Sequence, residues 1–256
     1  MIDTHAHIQP KDVGDSNRVI LEAKEKGVDK IICVGYDVDS SIEAVKLAEN
    51  HSGVYAIIGI HPSEVESAKD DYLDRLKDLA KSKKVVAIGE IGLDYHYQPY
   101  NKALQKKFFE EQIRLANELR LPICIHARDC TKDMLDILEA NKVYLLDGGV
   151  LHCFGESFET FNIVKKYNFK ISIGGVLTYK NARNVQEVVS KIPLEYIMLE
   201  TDCPWLTPEP YRGKDKNAPK YIVYVAEKLA ELKGVTVEEI CKITTNNAIE
   251  LFKFKD

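Results

Sequence analysis

Ile2-Asp3-Thr4-His5-Ala6-His7 stands at the start of the chain, a short extended-type run ending in two histidines two residues apart. In a strand, residues i and i+2 point to the same face, so His5 and His7 project side by side where the strand gives way to a loop. Imidazole is the commonest protein ligand of divalent transition metals. A lone His-x-His pair fits a structural role equally well, so its meaning depends on what other strands bring beside it.

Seven further apolar, β-branched runs follow: 30–35, 54–61, 85–90, 123–126, 150–152, 169–173 and 196–201. Amphipathic segments separate them. In 101–120, Leu104, Phe108, Leu115 and Leu119 recur at helical period. Ser63-x-x-Glu66 and Thr236-x-x-Glu239 read as capping boxes that open helices, and 217–232 and 236–253 read as two closing helices. Eight strands alternating with helices is the count of an α/β protein of the (β/α)8 TIM-barrel kind. The strand-to-strand step averages about 28 residues, a compact βαβ unit. A doubly wound open sheet would want a glycine-rich phosphate loop after the first strand, and His7-Ile8-Gln9-Pro10 stands there instead. No repeat or long linker divides the chain, so one domain over 1–256 is expected.

A hydrophobic content of 45% is enough to bury a sizeable core, and no apolar run approaches the ~18 residues that span a bilayer. The formal net charge of −5 excludes a global basic field, so a nucleic-acid partner would be held by local charge and by metal. The six cysteines include no Cys-x-x-Cys pair, which excludes a zinc ribbon or thioredoxin-like motif. Free thiols, together with strand residues directly after Met1, point to a cytoplasmic protein without a secretory leader.

Polar residues gather at the ends of the strands. His5 and His7 end the first, His61 the third, Glu90 the fourth, His126 the fifth and His152 the sixth; Glu200 and Asp202 end the eighth. A barrel brings these positions to one mouth, where active sites of this fold are built. Taken singly, each has a structural alternative: Glu90 could cap a loop and Asp202 could serve a turn. Four histidines and two carboxylates at the same end of successive strands are a different matter. Such a donor set suits Zn, Mn, Fe or Co, with Mg possible. It is too large for one catalytic ion that keeps an open position, and about right for two sharing a carboxylate, an arrangement that supports metal-dependent hydrolysis. His51 and His96 are not so placed. Cys153 and Cys203 alternate to the other strand face and read as core packing, while Trp205 and Tyr179 read at least as well as core or rim packing as they do as base-stacking rings.

Several stretches together make the chain similar to a known family. They are Asp3-Thr4-His5-Ala6-His7, Gly89-Glu90-Ile91-Gly92-Leu93-Asp94-Tyr95, Ile125-His126-Ala127-Arg128-Asp129, His152-Cys153-Phe154 and Leu199-Glu200-Thr201-Asp202-Cys203-Pro204-Trp205-Leu206. They resemble the TatD family of metal-dependent deoxyribonucleases, and the likeness runs on through Pro210-Tyr211-Arg212-Gly213, Asn217-Ala218-Pro219 and Asn246-Asn247-Ala248. The resemblance implies an amidohydrolase-type TIM barrel with two divalent cations, Mg, Mn or Zn. One cation would sit on His5, His7 and Asp202 and the second on His126 and His152, with Glu90 bridging. It also implies hydrolysis of DNA phosphodiesters, often 3′ to 5′ on single strands, by a two-metal-activated hydroxide. Asp202 and Glu90 would carry catalysis, Arg128 would contact phosphate and His61 would touch substrate. A monomer is expected. Cys130 and Gly155-Glu156 depart from the residues commoner in the family, and they bear on the groove rather than on the metals. The same ligands would serve hydrolysis of an ester, lactone or amide, including an aminoacyl-tRNA ester. A non-catalytic metal-binding scaffold is a third reading, which the presence of Asp202 disfavours.

Overall fold

In a computed structural model the described residues are 1–254, so the last two residues of the expected domain lie outside them. Eight strands form one parallel sheet: β1 (Ile2–Ala6), β2 (Lys30–Val34), β3 (Val54–Ile58), β4 (Val85–Asp94), β5 (Ile123–Arg128), β6 (Gly149–Leu151), β7 (Phe169–Ile173) and β8 (Ile197–Leu199). Each is hydrogen-bonded to the next in chain order. An open doubly wound sheet would reverse its order at a switch point; this one runs monotonically and returns to its start. Ala6 bridges Cys203 in parallel register, His7 N–H donates to the Cys203 carbonyl at 2.8 Å, and Asp202 N–H donates to the His5 carbonyl at 2.9 Å.

Side chains complete this last seam. Thr4 Oγ1 donates to the Leu199 carbonyl at 2.9 Å. Asp3, fully buried, accepts from Thr201 N–H at 3.0 Å and from Thr201 Oγ1 at 2.5 Å. The barrel interior is a packed core, not a pore. Ile32, Val34, Tyr55, Ile57, Cys124, Val150 and Met198 fill it below the mouth, and Ala248, Leu251 and Phe252 of the last helix, Val237–Phe252, close the bottom.

The helix expected over 101–120 is Lys102–Leu119, opened by Asn101, whose side chain accepts from Leu104 N–H. Phe108 and Leu115 are buried, and Leu104 and Leu119 pack partly buried against the same core. This helix also carries two buried glutamines seven residues apart. Gln112 exchanges two hydrogen bonds with the backbone of Ile60, and Gln105 exchanges two with that of Asp94. They fix the exits of β3 and β4, where the polar residues lie. The capping box at Thr236 and Glu239 forms as expected. The one expected at Ser63 does not: residues 62–67 are turns, and the next helix is Tyr72–Leu79. The Ser63 hydroxyl is spent on His61 Nδ1 and Glu64 Oε1, so it caps nothing.

Several strand ends also differ from expectation: β3 stops at Ile58, so His61 lies in the loop three residues beyond it, β8 stops at Leu199 rather than at 201, and β5 runs on to Arg128. β4 does not stop at Glu90 but pairs on with β5, Gly92 opposite His126 and Asp94 opposite Arg128. Gly92 permits this, with φ at 139° and a position where a Cβ would lie 2.0 Å from the His126 carbonyl oxygen. β6 ends at Leu151, and Cys153 turns into the left-handed region at φ 44°, half-buried rather than in the core; Cys203 is fully buried as expected.

Asn247 ties the last helix to the foot of β8, donating to the carbonyls of Leu194 and Ile197 at 2.7 Å each. Replacement by alanine leaves two buried carbonyls without these donors. Asn247→Ala is expected to lower stability by about 1–3 kcal/mol in urea unfolding. It should leave turnover intact, because the contact lies at the end of the barrel opposite the mouth. An unchanged midpoint would show that the clamp contributes nothing.

Candidate metal centre

His5 and His7 do meet as their spacing predicts: their Nε2 atoms are 3.2 Å apart, and both rings are buried. Asp202 arrives from the turn after β8 with φ at 55°, a conformation that aspartate tolerates better than most residues. Its Oδ1 lies 3.8 Å from His5 Nε2 and 3.6 Å from His7 Nε2. Glu90, buried in β4, turns its two oxygens to different neighbours. Oε2 faces His5 and His7, at 3.3 and 3.7 Å. Oε1 faces His126 Nδ1 and His152 Nε2, each at 2.8 Å, and those two nitrogens are 3.2 Å apart. The six expected metal-site residues are thus brought together, and Glu90 stands between two sets.

Hydrogen bonds on the outer sides of the rings fix where the imidazole protons lie. His7 Nδ1 faces the Val34 carbonyl at 3.0 Å, and a carbonyl can only accept, so the proton is on Nδ1. His126 Nε2 is 3.0 Å from Asp94 Oδ2 and donates there. In their neutral forms both rings therefore turn lone pairs inward, toward a carboxylate and another imidazole. Electron-rich atoms gathered this way are held together by a cation. Ligand bonds of about 2.0–2.2 Å put neighbouring ligand atoms about 3.4 Å apart around a tetrahedral ion, the spacing found here. His5, His7 and Asp202 could hold one ion, and the triads His5–Glu90–His152 and His61–Glu90–His126 offer atoms just as close together. The donor set fits a divalent metal.

His61 differs from the others. Its Nδ1 accepts from Ser63 N–H at 3.1 Å, so the neutral ring carries its proton on Nε2, which points at Glu90 Oε1 from 3.5 Å. Burial pushes its pKa down to about 3, keeping the ring neutral. His61 therefore faces Glu90 either as a donor or, with Glu90 and His126, as part of a triad close enough to hold an ion. Burial likewise pushes His5 down. Burial also opposes charge on His152, yet Glu90 and Glu200 outweigh it and hold that ring well above the usual range. Glu90 is held well below the carboxylate range against its own burial, chiefly by His152, His61 and His5; His7 does the same for Asp202.

Two carboxylates escape a reading of strand ends as ligands. Asp94 orients His126, and Gln105 holds the Asp94 backbone in turn. Glu200, buried under the mouth, accepts from Cys153 N–H at 2.6 Å and from Ser172 Oγ, and its Oε1 lies 3.7 Å from His152 Nδ1. The alternation of Ile91 and Leu93 with Gly92 and Asp94 is the signal that β4 continues far enough to deliver Asp94. Arg128 is exposed at the end of β5, its guanidinium 4.9 Å from the centre of the Tyr97 ring. Trp205 is half-exposed and meets His7 edge-on, whereas Tyr179 is buried beneath Arg212.

A family model described as TatD related DNase matches residues 2–253. An uncharacterized metal-dependent hydrolase of Bacillus subtilis, YabD, is 45% identical over 254 residues, covering 99% of each chain. Another from Escherichia coli K12, YcfH, is 36% identical over 98% of this chain and 95% of its own length. The crystal structure of YjjV, a TatD homologue from Escherichia coli K12, superposes with a TM-score of 0.93 at 31% identity, covering 100% of this chain and 98% of that one. The chain belongs to the TatD family of metal-dependent hydrolases.

Proposed function

We propose that this chain is a deoxyribonuclease that hydrolyses phosphodiester bonds in single-stranded DNA, working 3′ to 5′, with two divalent cations of the Mg, Mn or Zn class. His5, His7 and Asp202 would hold one, and His126 and His152 the other, with Glu90 between them; the two-sided placement of the Glu90 carboxylate supports this division. The ions would supply Lewis acidity, lowering the pKa of water and polarising the phosphoryl oxygens. All six groups come from one chain, which fits a monomer. Among the described residues no helix is long and apolar enough to cross a membrane.

The observation that carries a phosphodiester over other bonds is the rim of the mouth. Three cations stand on aromatic rings around the centre: Lys11 over Tyr36 at 4.5 Å, Arg128 over Tyr97 at 4.9 Å and Arg212 over Tyr179 at 3.7 Å. The cations offer charge to phosphates, and Tyr97, 69% exposed, offers an open ring to an unpaired base, whereas Tyr179 is buried and only seats Arg212. Polarity and the choice of DNA rest on the family resemblance. Asp202 reaches the mouth with its side chain 15% exposed, enough to meet a water molecule. In the reaction that water would attack phosphorus and give a proton to Asp202, the P–O bond opposite would break, and the released sugar oxygen would take a proton from solvent at the mouth. Arg128 would face the negative charge on the phosphoryl oxygens, and His61, beside Glu90, would touch the substrate.

Asp202→Asn keeps the shape of the side chain but can take no proton. Hydrolysis of end-labelled single-stranded DNA is expected to fall by ~10²–10⁴-fold or more, with a folded protein by circular dichroism. Near wild-type activity would exclude this assignment. Arg128→Ala is expected to cost about tenfold or more in kcat/KM on DNA, the worth of a charge-assisted hydrogen bond, and far less on a small uncharged ester. An equal loss on both would make Arg128 structural. Asp94→Ala frees the His126 ring and is expected to weaken divalent-cation binding by about 10–100-fold in calorimetric titration of the chelated protein. Unchanged affinity would show that Asp94 does not orient His126.

A further inference from the structure

We propose that the cavity between the loops after β3 and β4 seats a nucleobase of a nucleotide flanking the cleaved bond. This rests on the nuclease reading above and adds the subsite that would read the strand. The cavity measures about 150 Å³. Its walls are mixed: Pro62, Val65, Tyr97, Pro99 and Tyr100 supply apolar and ring surface, while Ser63, Glu66, Asn101 and Gln105 add polar groups that can meet the edge of a base, with Asp94 on the side of the metal centre. It adjoins that centre closely. Pro62 directly follows His61, and Asp94 lies 3.0 Å from His126. A cavity of this size has room for a benzene-sized ring, so one six-membered ring of a base fits, with its polar edge toward Ser63, Glu66 or Asn101.

The cavity is preformed. Tyr100 stacks on Tyr95 with ring centres 4.9 Å apart and planes within 14°. Tyr95 donates to Asp133, which Lys102 and Lys106 hold by ion pairs of 2.7 and 2.9 Å. Gln105 fixes the backbone of Asp94 below. Tyr97, by contrast, is 69% exposed and offers its ring to solvent beside the Arg128 guanidinium. An exposed ring beside the Arg128 guanidinium and a slot with both ring and polar walls is an arrangement that grips one unpaired nucleotide, base against ring and phosphate on the arginine. Nothing in the hydrolytic chemistry requires Tyr97.

The test uses the metal-loaded enzyme and a set of single-stranded DNA pentamers carrying an abasic tetrahydrofuran residue at each position in turn. Wild type is expected to lose about 5- to 150-fold in kcat/KM when the abasic residue occupies one particular position beside the cleaved bond. Tyr97→Ala should be slower on the intact pentamer and insensitive to the abasic residue at that position, and Tyr97→Phe should restore the wild-type pattern. Equal wild-type rates across the abasic set would overturn the subsite, as would full wild-type sensitivity in Tyr97→Ala. Failure of wild type to cleave any pentamer would overturn the nuclease reading and the subsite with it, so the two failures look different.

Discussion

The barrel is closed by a buried carboxylate. Asp3 accepts two hydrogen bonds from Thr201, Thr4 donates to the Leu199 carbonyl, and one isolated bridge, Ala6 to Cys203, is the backbone register between the first strand and the turn after the last. His5 and His7 lie just beyond this seam on one side, and Asp202 just beyond it on the other. A chain that did not close here would hold its histidine pair and its aspartate on opposite edges of an open sheet. The position of half the metal site is therefore a consequence of how the two ends of the barrel are joined.

Glu90 unites that half with the other. A buried carboxylate with histidines on both sides is costly to desolvate, and only opposite charge on each side makes the position tolerable. Of its neighbours, His152 and His126 are held above the usual imidazole range and so favour its ionised form, whereas burial pushes His5 and His61 down. The same crowding would be repulsive among the inward lone pairs of His7 and His126 without cations between them. Structure and chemistry agree on a site completed by metal, on a fold that lets water and substrate reach it from the mouth alone.

Much of this is legible in the residues themselves. A period of two places His5 beside His7, and regular spacing of apolar runs gives eight strands with polar ends at one mouth. What is not legible depends on partners distant in sequence. Asp94 reaches His126 only because β4 continues past Glu90 by pairing with β5, and because Gly92 lets the backbones approach. Glu200 is visible as a polar strand end, but its partners Ser172 and Cys153 lie on and after other strands. Ser63-x-x-Glu66 has the local pattern of a capping box and fails because His61 claims the serine. The proton on His61 Nε2 is invisible in sequence for the same reason: a backbone N–H two residues on decides it.

Glu90 would separate two cation sites built from these six residues. Anomalous diffraction from crystals soaked in manganese tests it most directly. Two peaks are expected about 3.5–4 Å apart, one against His5, His7 and Asp202 and one against His126 and His152, with a Glu90 oxygen on each. A single peak at full occupancy, or peaks that leave Glu90 uncoordinated, would contradict it.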